Sequence, residues 1–442
     1  MIMEKVQFDF EKKYGKFKIL NATNGGPWCN RKSTDQLSTN FADYKAVGFP
    51  YSRNHDSASF DVYGGPYSHD ITCIFPNFDA DENDPASYDF ECTDESILVC
   101  LEAGTKTFYR LGQTIEHQIK KHGTIPPKDF GKWARICEHI IRHYNEGWAN
   151  GFHLDIEYWE IWNEANLDRE DSDNKRCWGG TTVQFYDFYE TAAKHLKKCF
   201  PNLKIGGPAY AGYAPCGNIS WLDEFLCEMK KRNVEFDFVS WHLYAARPET
   251  IITLGERVKE LMVKYGYGNA ESICNEWNYV KGWVEEFIYS VKMIHGLKNA
   301  AFITAMMCLA QKSSTDMLMY YDTRPSVFNG VFDLYTNDKL KGYYPMLWYS
   351  NFYKLENEIR QVGEVENIYS LCGVDKDGKI TAMLTYYTDD DNAENKKILV
   401  DLPKDREYEV FLLDNGHDGE AVTKTDLEFD MAVHSCILIK EK

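Results

Sequence analysis

Short β-branched or aromatic runs alternate along this chain with longer stretches whose apolar residues recur every three or four positions. The first pattern predicts strands and the second amphipathic helices. The clearest helix is Asp129 to Trp148, where Trp133, Ile136, Ile140 and Tyr144 fall at helical spacing. Strands are expected at Phe17 to Thr23, Val47 to Asn54, Lys106 to Leu111, Ile156 to Trp162, Leu203 to Gly207, Phe236 to Tyr244, Ser272 to Trp277 and Met317 to Tyr321. Between them lie expected helices: one that Thr93 or Asp94 could cap, Thr182 to Phe200 stopped by Pro201, Trp221 to Arg232, and Glu249 to Tyr265. Val284 to Lys312 follows, broken near Gly296, and Lys341 to Leu355 closes the series. Such alternation belongs to the α/β class with parallel strands, here a (β/α)₈ TIM barrel.

After Asn357 the texture changes to short β-like runs: Ile368 to Val374, Ile380 to Tyr387, Lys397 to Val400, Tyr408 to Leu413 and Cys436 to Lys440. Asp377-Gly378 and Asn415-Gly416 are turn signals between some of them. These runs predict a small C-terminal β-sandwich. The barrel is expected over residues 15–355 and the sandwich over 356–442. Strand residues from 1–14, chiefly Lys5 to Phe10, would join the sandwich.

Composition narrows the function classes. The chain has 442 residues, too many for one ordinary core, and is 44% apolar, so it is globular rather than disordered. Its net charge of −19 leaves nothing to neutralise a phosphate backbone, which excludes nucleic acid as an expected partner. The longest apolar stretch, Ala300 to Ala310, falls well short of the roughly 20 residues that span a membrane. The N-terminal MIMEKVQFDF carries acids and no apolar core, so it does not read as a signal peptide. The 13 cysteines are scattered, with neither a CxxC pair nor an HExxH motif, so no metal is expected. Cys100, Cys137, Cys199, Cys227 and Cys308 lie in apolar stretches and read as buried thiols, which suits a reducing cytoplasm. No GxGxxG follows a strand, so a dinucleotide cofactor lacks support, and no cofactor of any kind is expected. A homo-oligomer is compatible with the sequence.

A barrel carries its active site at the C-terminal ends of its strands. Two such ends stand out: Tyr158-Trp159-Glu160-Ile161-Trp162-Asn163-Glu164 and Ile273-Cys274-Asn275-Glu276-Trp277. Their glutamates are 276 − 164 = 112 residues apart and end strands four and seven, so both would open on one mouth. Two carboxyl groups flanking one bond are what glycoside hydrolysis requires, about 5 to 5.5 Å apart in a retaining enzyme. Trp162 and Trp277 suit a sugar site because an indole face packs on the apolar CH face of a pyranose. His242 and Tyr244 share a parity on strand six, so both could face the mouth.

The stretch EYWEIWNEANL resembles the acid/base strand of clan A glycoside hydrolases, and most of all family 39, the family of β-xylosidases and α-L-iduronidases. The other motifs follow in the family's order. They are Gly15-Lys16-Phe17-Lys18 with Asn24-Gly25-Gly26-Pro27, Lys204-Ile205-Gly206-Gly207-Pro208-Ala209, Phe236 to Tyr244, and Asn275-Glu276-Trp277. The resemblance covers about residues 5–355. It implies that Glu164 is the acid/base, Glu276 the nucleophile and Asn163 a hydrogen-bond partner of the sugar 2-hydroxyl. It also implies that His242 and Tyr244 contact the nucleophile or substrate, and that Arg53 and His55 contribute a basic and aromatic site after strand two. The pattern departs from the family at Ala165, where proline is usual, and at the ends of strands three and eight.

The implied activity is double displacement on a terminal sugar, a β-xyloside or a related one, by an exo-acting retaining glycosidase. Another clan A specificity (arabinosidase, glucosidase, galactosidase or uronidase) or a non-catalytic carbohydrate-binding barrel are the alternatives. In the two-carboxylate scheme Glu276 is ionised and Glu164 protonated. The pocket walls should come from the loops after strands two, three and eight, with Glu116, Asp322 and Arg324 beside Trp277 among the expected substrate contacts. The long segment from His55 to Tyr88, rich in Gly, Pro and Asp, is expected to fold over the mouth as a wall rather than enter the core. Arg53, Arg110 and Arg324 are expected to pair with Glu116, Asp322 and other acids, which favours a neutral sugar over a uronic acid.

Overall fold

The computed structural model describes residues 3–29, 39–57, 67–213, 219–424 and 426–442. Eight parallel strands close into a barrel: β2 (Ile19–Asn24), β3 (Tyr51–Arg53), β4 (Lys106–Leu111), β5 (Tyr158–Ile161), β6 (Lys204–Ala211), β7 (Phe238–Ala245), β8 (Glu271–Tyr279) and β9 (Met317–Tyr320). Closure is made by β2 against β9, with Ala22 opposite Met319 and Thr23 opposite Tyr320. At the N-terminal end of the barrel Ala22, Tyr51, Phe108, Tyr158, Phe238, Ile273, Met317 and Met319 fill the interior. Filled with side chains at that end, the barrel can hold a cavity only toward the C-terminal ends of its strands.

Helices coat the barrel: α1 (Phe41–Val47), α2 (Ile71–Ile74), α3 (Glu91–Glu102), α4 (Phe130–Glu146), α5 (Thr182–Cys199), α6 (Ser220–Lys231), α7 (Pro248–Lys264), α8 (Phe287–Ile294), α9 (Leu297–Ala310) and α10 (Tyr343–Tyr349). α4 starts where the Asp129 carboxylate accepts from the Lys132 N–H at 2.9 Å. α5 starts with a reciprocal box: Thr181 Oγ1 accepts from the Gln184 N–H, and Gln184 Oε1 accepts from the Thr181 N–H. The expected cap of α3 is corrected. Its first turn begins at Glu91 with no side-chain cap. Thr93 instead donates to the Ser68 carbonyl, and Asp94 accepts from Tyr144 at 2.9 Å. Both side chains serve tertiary contacts because they point at buried neighbours from inside the helix.

α9 is apolar nearly all round and buried from Lys298 to Cys308. No single helix among the described residues is long and apolar enough to cross a membrane.

The remaining strands are β1 (Met3–Gln7), β10 (Asn357–Ile359), β11 (Ile368–Val374), β12 (Ile380–Tyr386), β13 (Lys396–Asp401), β14 (Tyr408–Leu413), β15 (Asp418–Val422), β16 (Glu428–Met431) and β17 (Cys436–Glu441). They form a three-stranded sheet, β1-β13-β16, and a six-stranded sheet, β10-β11-β12-β17-β14-β15. β1 pairs parallel to β13, with Met3 opposite Lys397, so the start of the chain joins this second unit. Val6, Phe8, Ile359, Ile398, Val400, Ile437 and Ile439 belong to its core. Lys298 of α9 ties the two units together, 2.8 Å from both Asp389 and Asp391, while the Tyr279 hydroxyl donates to Asp389. An ammonium this buried is tolerable because it is paired and hydrogen-bonded.

The segment from His55 to Tyr88 departs from expectation. Residues 58–66 lie outside the described residues. In the rest Ser68, His69, Asp70, Ile71, Ile74 and Phe75 are buried, and Asp70 pairs with Arg110 at 3.0 Å. An ion pair and an apolar turn carry this stretch into the body of the protein, so it is partly core and not only wall.

Candidate active site

Glu276 sits inside β8 rather than at its last residue, because the strand continues to Tyr279. Its side chain faces the barrel interior and is 6% exposed. Arg53, at the end of β3 and fully buried, donates from Nη1 to Glu276 Oε1 at 2.7 Å. The same guanidinium donates to Glu160 at 2.7 Å, Asn163 Oδ1 at 2.7 Å and Asn24 Oδ1 at 3.2 Å. A planar fork with five donors can hold four partners from three strands, which a lysine cannot. Tyr244 on β7 donates to Glu276 Oε2 at 2.7 Å.

Glu164 lies three residues past the end of β5, and its position is set by backbone geometry. Trp162 and Glu164 both adopt left-handed φ, 70° and 47°. The Trp162 N–H donates to Leu111 of β4 at 2.7 Å, and the Glu164 N–H to Ala209 of β6 at 3.0 Å. Both neighbouring strands thus hold a backbone that non-glycine residues rarely adopt, a strain typical of functional sites. His242 Nδ1 lies 2.8 Å from Glu164 Oε1 and 3.6 Å from Glu276 Oε2. One oxygen of each carboxylate and one ring nitrogen of His242 lie within 4.8 Å of one another.

Charge follows from burial and neighbours. Burial pushes the Glu276 carboxyl up from its ordinary range and Glu164 adds to this; His242, Arg53 and the Tyr244 hydrogen bond pull it down, and the net direction is up. Burial opposes protonation of His242, but Glu276 and Glu164 outweigh it and raise the imidazole. His55 is lowered well below its usual value by burial and by Arg53, Arg110, Arg324 and His242. It is therefore neutral, and its approach to Glu276 at 3.7 Å is a polar contact and not an ion pair. Burial, and then Glu276, raise the Tyr244 phenol, so it stays a donor.

A cavity of about 600 Å³ opens over these groups, within the roughly 300–1,000 Å³ of small-molecule sites. Glu164, Glu276, His242, Tyr244 and His55 line it, joined by Asp56, Tyr321, Phe328, Trp283 and Tyr213. Arg53 and Asn163 lie buried beneath it, holding Glu276 and each other rather than forming wall. Three expectations are corrected. Trp277 is buried and packs outward against Phe302 and Tyr320, because consecutive strand residues point to opposite faces and Glu276 takes the inner one. Trp162 packs outward against Trp133, Trp178 and Phe188. Glu116 turns from the cavity and accepts from the backbone N–H groups of His122 and Gly123 and from the Thr124 hydroxyl at 2.6 Å, tying its own loop.

Asp322 is fully buried and accepts from Arg324 at 2.5 Å and Ser326 at 2.8 Å. Arg324 spends its other donors on the Asp56 carbonyl and the Tyr321 hydroxyl, both at 2.6 Å. The expected pairing of Arg324 with Asp322 is present; Arg110 pairs with Asp70 and not with Glu116.

Sequence reasoning missed several residues. Glu160 is one: two positions before Trp162 on β5, it is buried and shared between Arg53 and Asn275, whose Nδ2 donates to it at 2.5 Å. Strand parity with the inward Tyr158 would have found it. Asp56 is another. It holds a left-handed φ of 53°, lines the cavity, and has a buried Oδ1 with no hydrogen-bond partner. Nothing in the sequence marked it. Two groups among the described residues bring three donor atoms within reach of one ion: the Glu164, His242, Glu276 set and Glu138, His195, Cys199. In the second, Arg142 already holds Glu138 at 2.8 Å.

Residues 65–275 match the family model described as Glycosyl hydrolases family 39. Over 214 residues the chain is 28% identical to a beta-xylosidase of Geobacillus stearothermophilus, spanning 46% of this chain and 37% of that protein. Over 230 residues it is 28% identical to a beta-xylosidase of Caldicellulosiruptor saccharolyticus, spanning 49% and 41%. The matches thus cover well under two thirds of the length of these curated relatives. Among solved structures, a glucosidase from Croceicoccus marinus aligns with a TM-score of 0.78 at 21% identity, covering 100% of this chain and 99% of that one. A monomeric beta-xylosidase from Caulobacter crescentus CB15 aligns at 0.68 and 16% identity, covering 99% of each chain. At these identities the structural likeness establishes the fold.

Proposed function

We propose that this chain is a member of glycosyl hydrolases family 39, as its match to that family model and to two beta-xylosidases supports, and an exo-acting retaining glycosidase for a neutral terminal sugar, β-xylose or a close relative. The observation that carries this reading is the pair of carboxylates at one cavity, with an oxygen of each within 4.8 Å. Inverting enzymes leave room for a water between carboxyl groups roughly 6.5–9.5 Å apart, so this close approach of the two carboxylates supports retention.

In the first step Glu276 attacks the anomeric carbon while Glu164 gives its proton to the departing glycosidic oxygen. The C–O bond to the leaving group breaks, and a bond from the sugar to the Glu276 oxygen forms. In the second, Glu164 takes a proton from water, the water oxygen bonds to the anomeric carbon, and Glu276 departs as carboxylate. Arg53 and Tyr244 aim Glu276 and stabilise it as it leaves. His242, 2.8 Å from Glu164, orients the acid/base.

A neutral sugar is favoured by what the charged groups are doing. Arg324 is held by Asp322, the Asp56 carbonyl and Tyr321, which leaves it no fork for a uronate. Asp56 instead offers a carboxyl oxygen to sugar hydroxyls.

The test is a panel of 4-nitrophenyl glycosides carrying β-xylose, β-glucose, β-galactose, α-L-arabinofuranose and β-glucuronic acid, with NMR of the first-formed anomer. Turnover of a neutral member with the anomeric configuration retained is expected. Inversion removes the double displacement, and turnover of the glucuronide alone removes the neutral sugar. No turnover of any member leaves a carbohydrate-binding barrel as the surviving reading. Internal cleavage of a polymer before monosaccharide appears overturns exo action.

A further inference from the structure

The cavity is divided in polarity along its depth. Its inner half carries the carboxylates, His242, His55, Asp56 and the Tyr244 hydroxyl. Its outer half is built from Ile115, Leu167, Tyr213, Val280, Trp283 and Phe328. Trp283 is 56% exposed and Tyr213 49%. Trp283 is fixed rather than loose: its ring packs edge-on against Tyr244 at 5.3 Å and parallel to Phe287 at 5.8 Å, with Phe328 at 6.1 Å. The Tyr213 hydroxyl is already spent on the Leu167 carbonyl.

Charged side chains reach this outer half, but they are committed elsewhere. Arg176 holds Asp168 through two nitrogens, at 2.7 and 3.0 Å. Lys281 pairs with Asp389 at 3.1 Å. Among the described lining residues, His117 is the other side chain here that can carry a positive charge. A second sugar could lay its CH face on Trp283, but its hydroxyls would meet walls with few free donors or acceptors to replace their water, and unmatched polar groups cost binding. An apolar ring would lose nothing and would stack on Trp283.

We infer that the outer half of the cavity is a leaving-group subsite for an apolar, ring-bearing alcohol, so that the natural substrates are glycosides of hydrophobic aglycones rather than oligosaccharides. The inference rests on the glycosidase reading above, since it names the group that departs from the same site. Run with an alcohol in place of water, the second step makes it testable. The glycosyl–Glu276 bond breaks, the anomeric carbon bonds to the oxygen of an acceptor alcohol, and Glu164 takes the alcohol's proton. An acceptor that fits the outer half should compete with water.

The experiment uses whichever 4-nitrophenyl glycoside the enzyme turns over as donor, and offers 2-phenylethanol, ethanol or the methyl glycoside of the same sugar as acceptor. Comparing acceptors on one glycosyl-enzyme removes leaving-group reactivity from the result. Per mole of acceptor, transfer to 2-phenylethanol should exceed transfer to ethanol and to the methyl glycoside by about tenfold or more. Trp283→Ala should lower the ratio of phenylethyl product to free sugar by about tenfold, a ratio read within one variant and so independent of how much enzyme folds. Trp283→Phe should keep most of it. If the methyl glycoside matches or beats 2-phenylethanol, the leaving-group inference fails while the glycosidase reading stands. If no donor is turned over, both fail together.

Discussion

The two glutamates at the mouth of the barrel live in different surroundings. Glu276 is built into a strand, 6% exposed, with Arg53 and Tyr244 each 2.7 Å from one of its oxygens. Glu164 hangs from a left-handed turn past its strand, 13% exposed, with His242 at 2.8 Å. A nucleophile must stay ionised, aimed at one carbon, and able to leave again, which fixed donors serve. An acid/base must gain and lose a proton within one cycle, which a neighbour that itself titrates serves better. The asymmetry in partners supports the proposed roles without reference to any relative, and each difference can be attacked separately.

The largest effect is expected at Glu276. Glu276→Ala should lower kcat on every substrate by on the order of 10⁴-fold or more, because no neighbouring group can replace the covalent step. Equal loss on good and poor leaving groups is the signature. Glu164→Ala should behave differently, costing about 10²–10⁴-fold on alkyl glycosides. A 2,4-dinitrophenyl glycoside, whose leaving group needs no proton, should be nearly spared in the first step. Steady-state rates on the two substrate types, and a burst of dinitrophenol as the glycosyl-enzyme accumulates, would show this. If the two variants lose the same amount on both substrates, the roles drawn from their surroundings are wrong.

Arg53 tests whether the nucleophile's scaffold is structural as well as chemical. Arg53→Met leaves Glu160 and Glu276 without their shared cation in a fully buried site. Breaking a buried pair this way typically costs about 3–5 kcal/mol, so urea unfolding should show a clearly lower midpoint. Arg53→Lys keeps the charge but not the fork, and should recover part of the stability and little of the activity. Full recovery of activity by lysine would mean that only the charge matters.

How far the sequence revealed this asymmetry depends on which element is considered. The barrel was legible because its strands keep apolar runs of the expected length: Lys106–Leu111 is found at its expected bounds, and the break in the long helix falls at Gly296. β6 runs on to Ala211 through Gly207-Pro208, a pair that reads as a stop, because β7 pairs again with Tyr210 and Ala211 beyond a shift in register. Strands β10, β15 and β16 were missed for a different reason. They have three, five and four residues, and β15 is largely exposed, so no apolar run marks them. The glutamates were legible as acids at strand ends next to asparagine. The tryptophans beside them were misread, because adjacency in sequence is opposition in a strand: Trp277 must face outward if Glu276 faces inward. Asp56 and Trp283 sit on loops whose path only the folded chain fixes.

The finest test is a shift in pH dependence. Burial raises the Glu276 carboxyl, and the hydrogen bond from Tyr244 opposes that rise. Because catalysis needs Glu276 ionised, the acid limb of kcat/KM should lie above the roughly 4.3 of an ordinary glutamate, with activity falling as pH drops through it. Tyr244→Phe removes a donor to the charged form only. The carboxylate loses stabilisation and the neutral acid does not, so the limb must move to higher pH. Hydrogen bonds to charged groups are worth about 1.5–3 kcal/mol, so kcat should fall by roughly 10- to 10²-fold at the optimum. His242→Asn should leave a different mark. It removes the largest influence pulling Glu276 down, and this too moves the acid limb up. It also strips Glu164 of its 2.8 Å partner, so alkyl glycosides, which need a proton from Glu164, should lose more in this variant than a 2,4-dinitrophenyl glycoside. Tyr244→Phe touches only Glu276 and should lower both substrates alike. If both substitutions lower the two substrates in the same ratio, the division between the glutamates is not held by their neighbours.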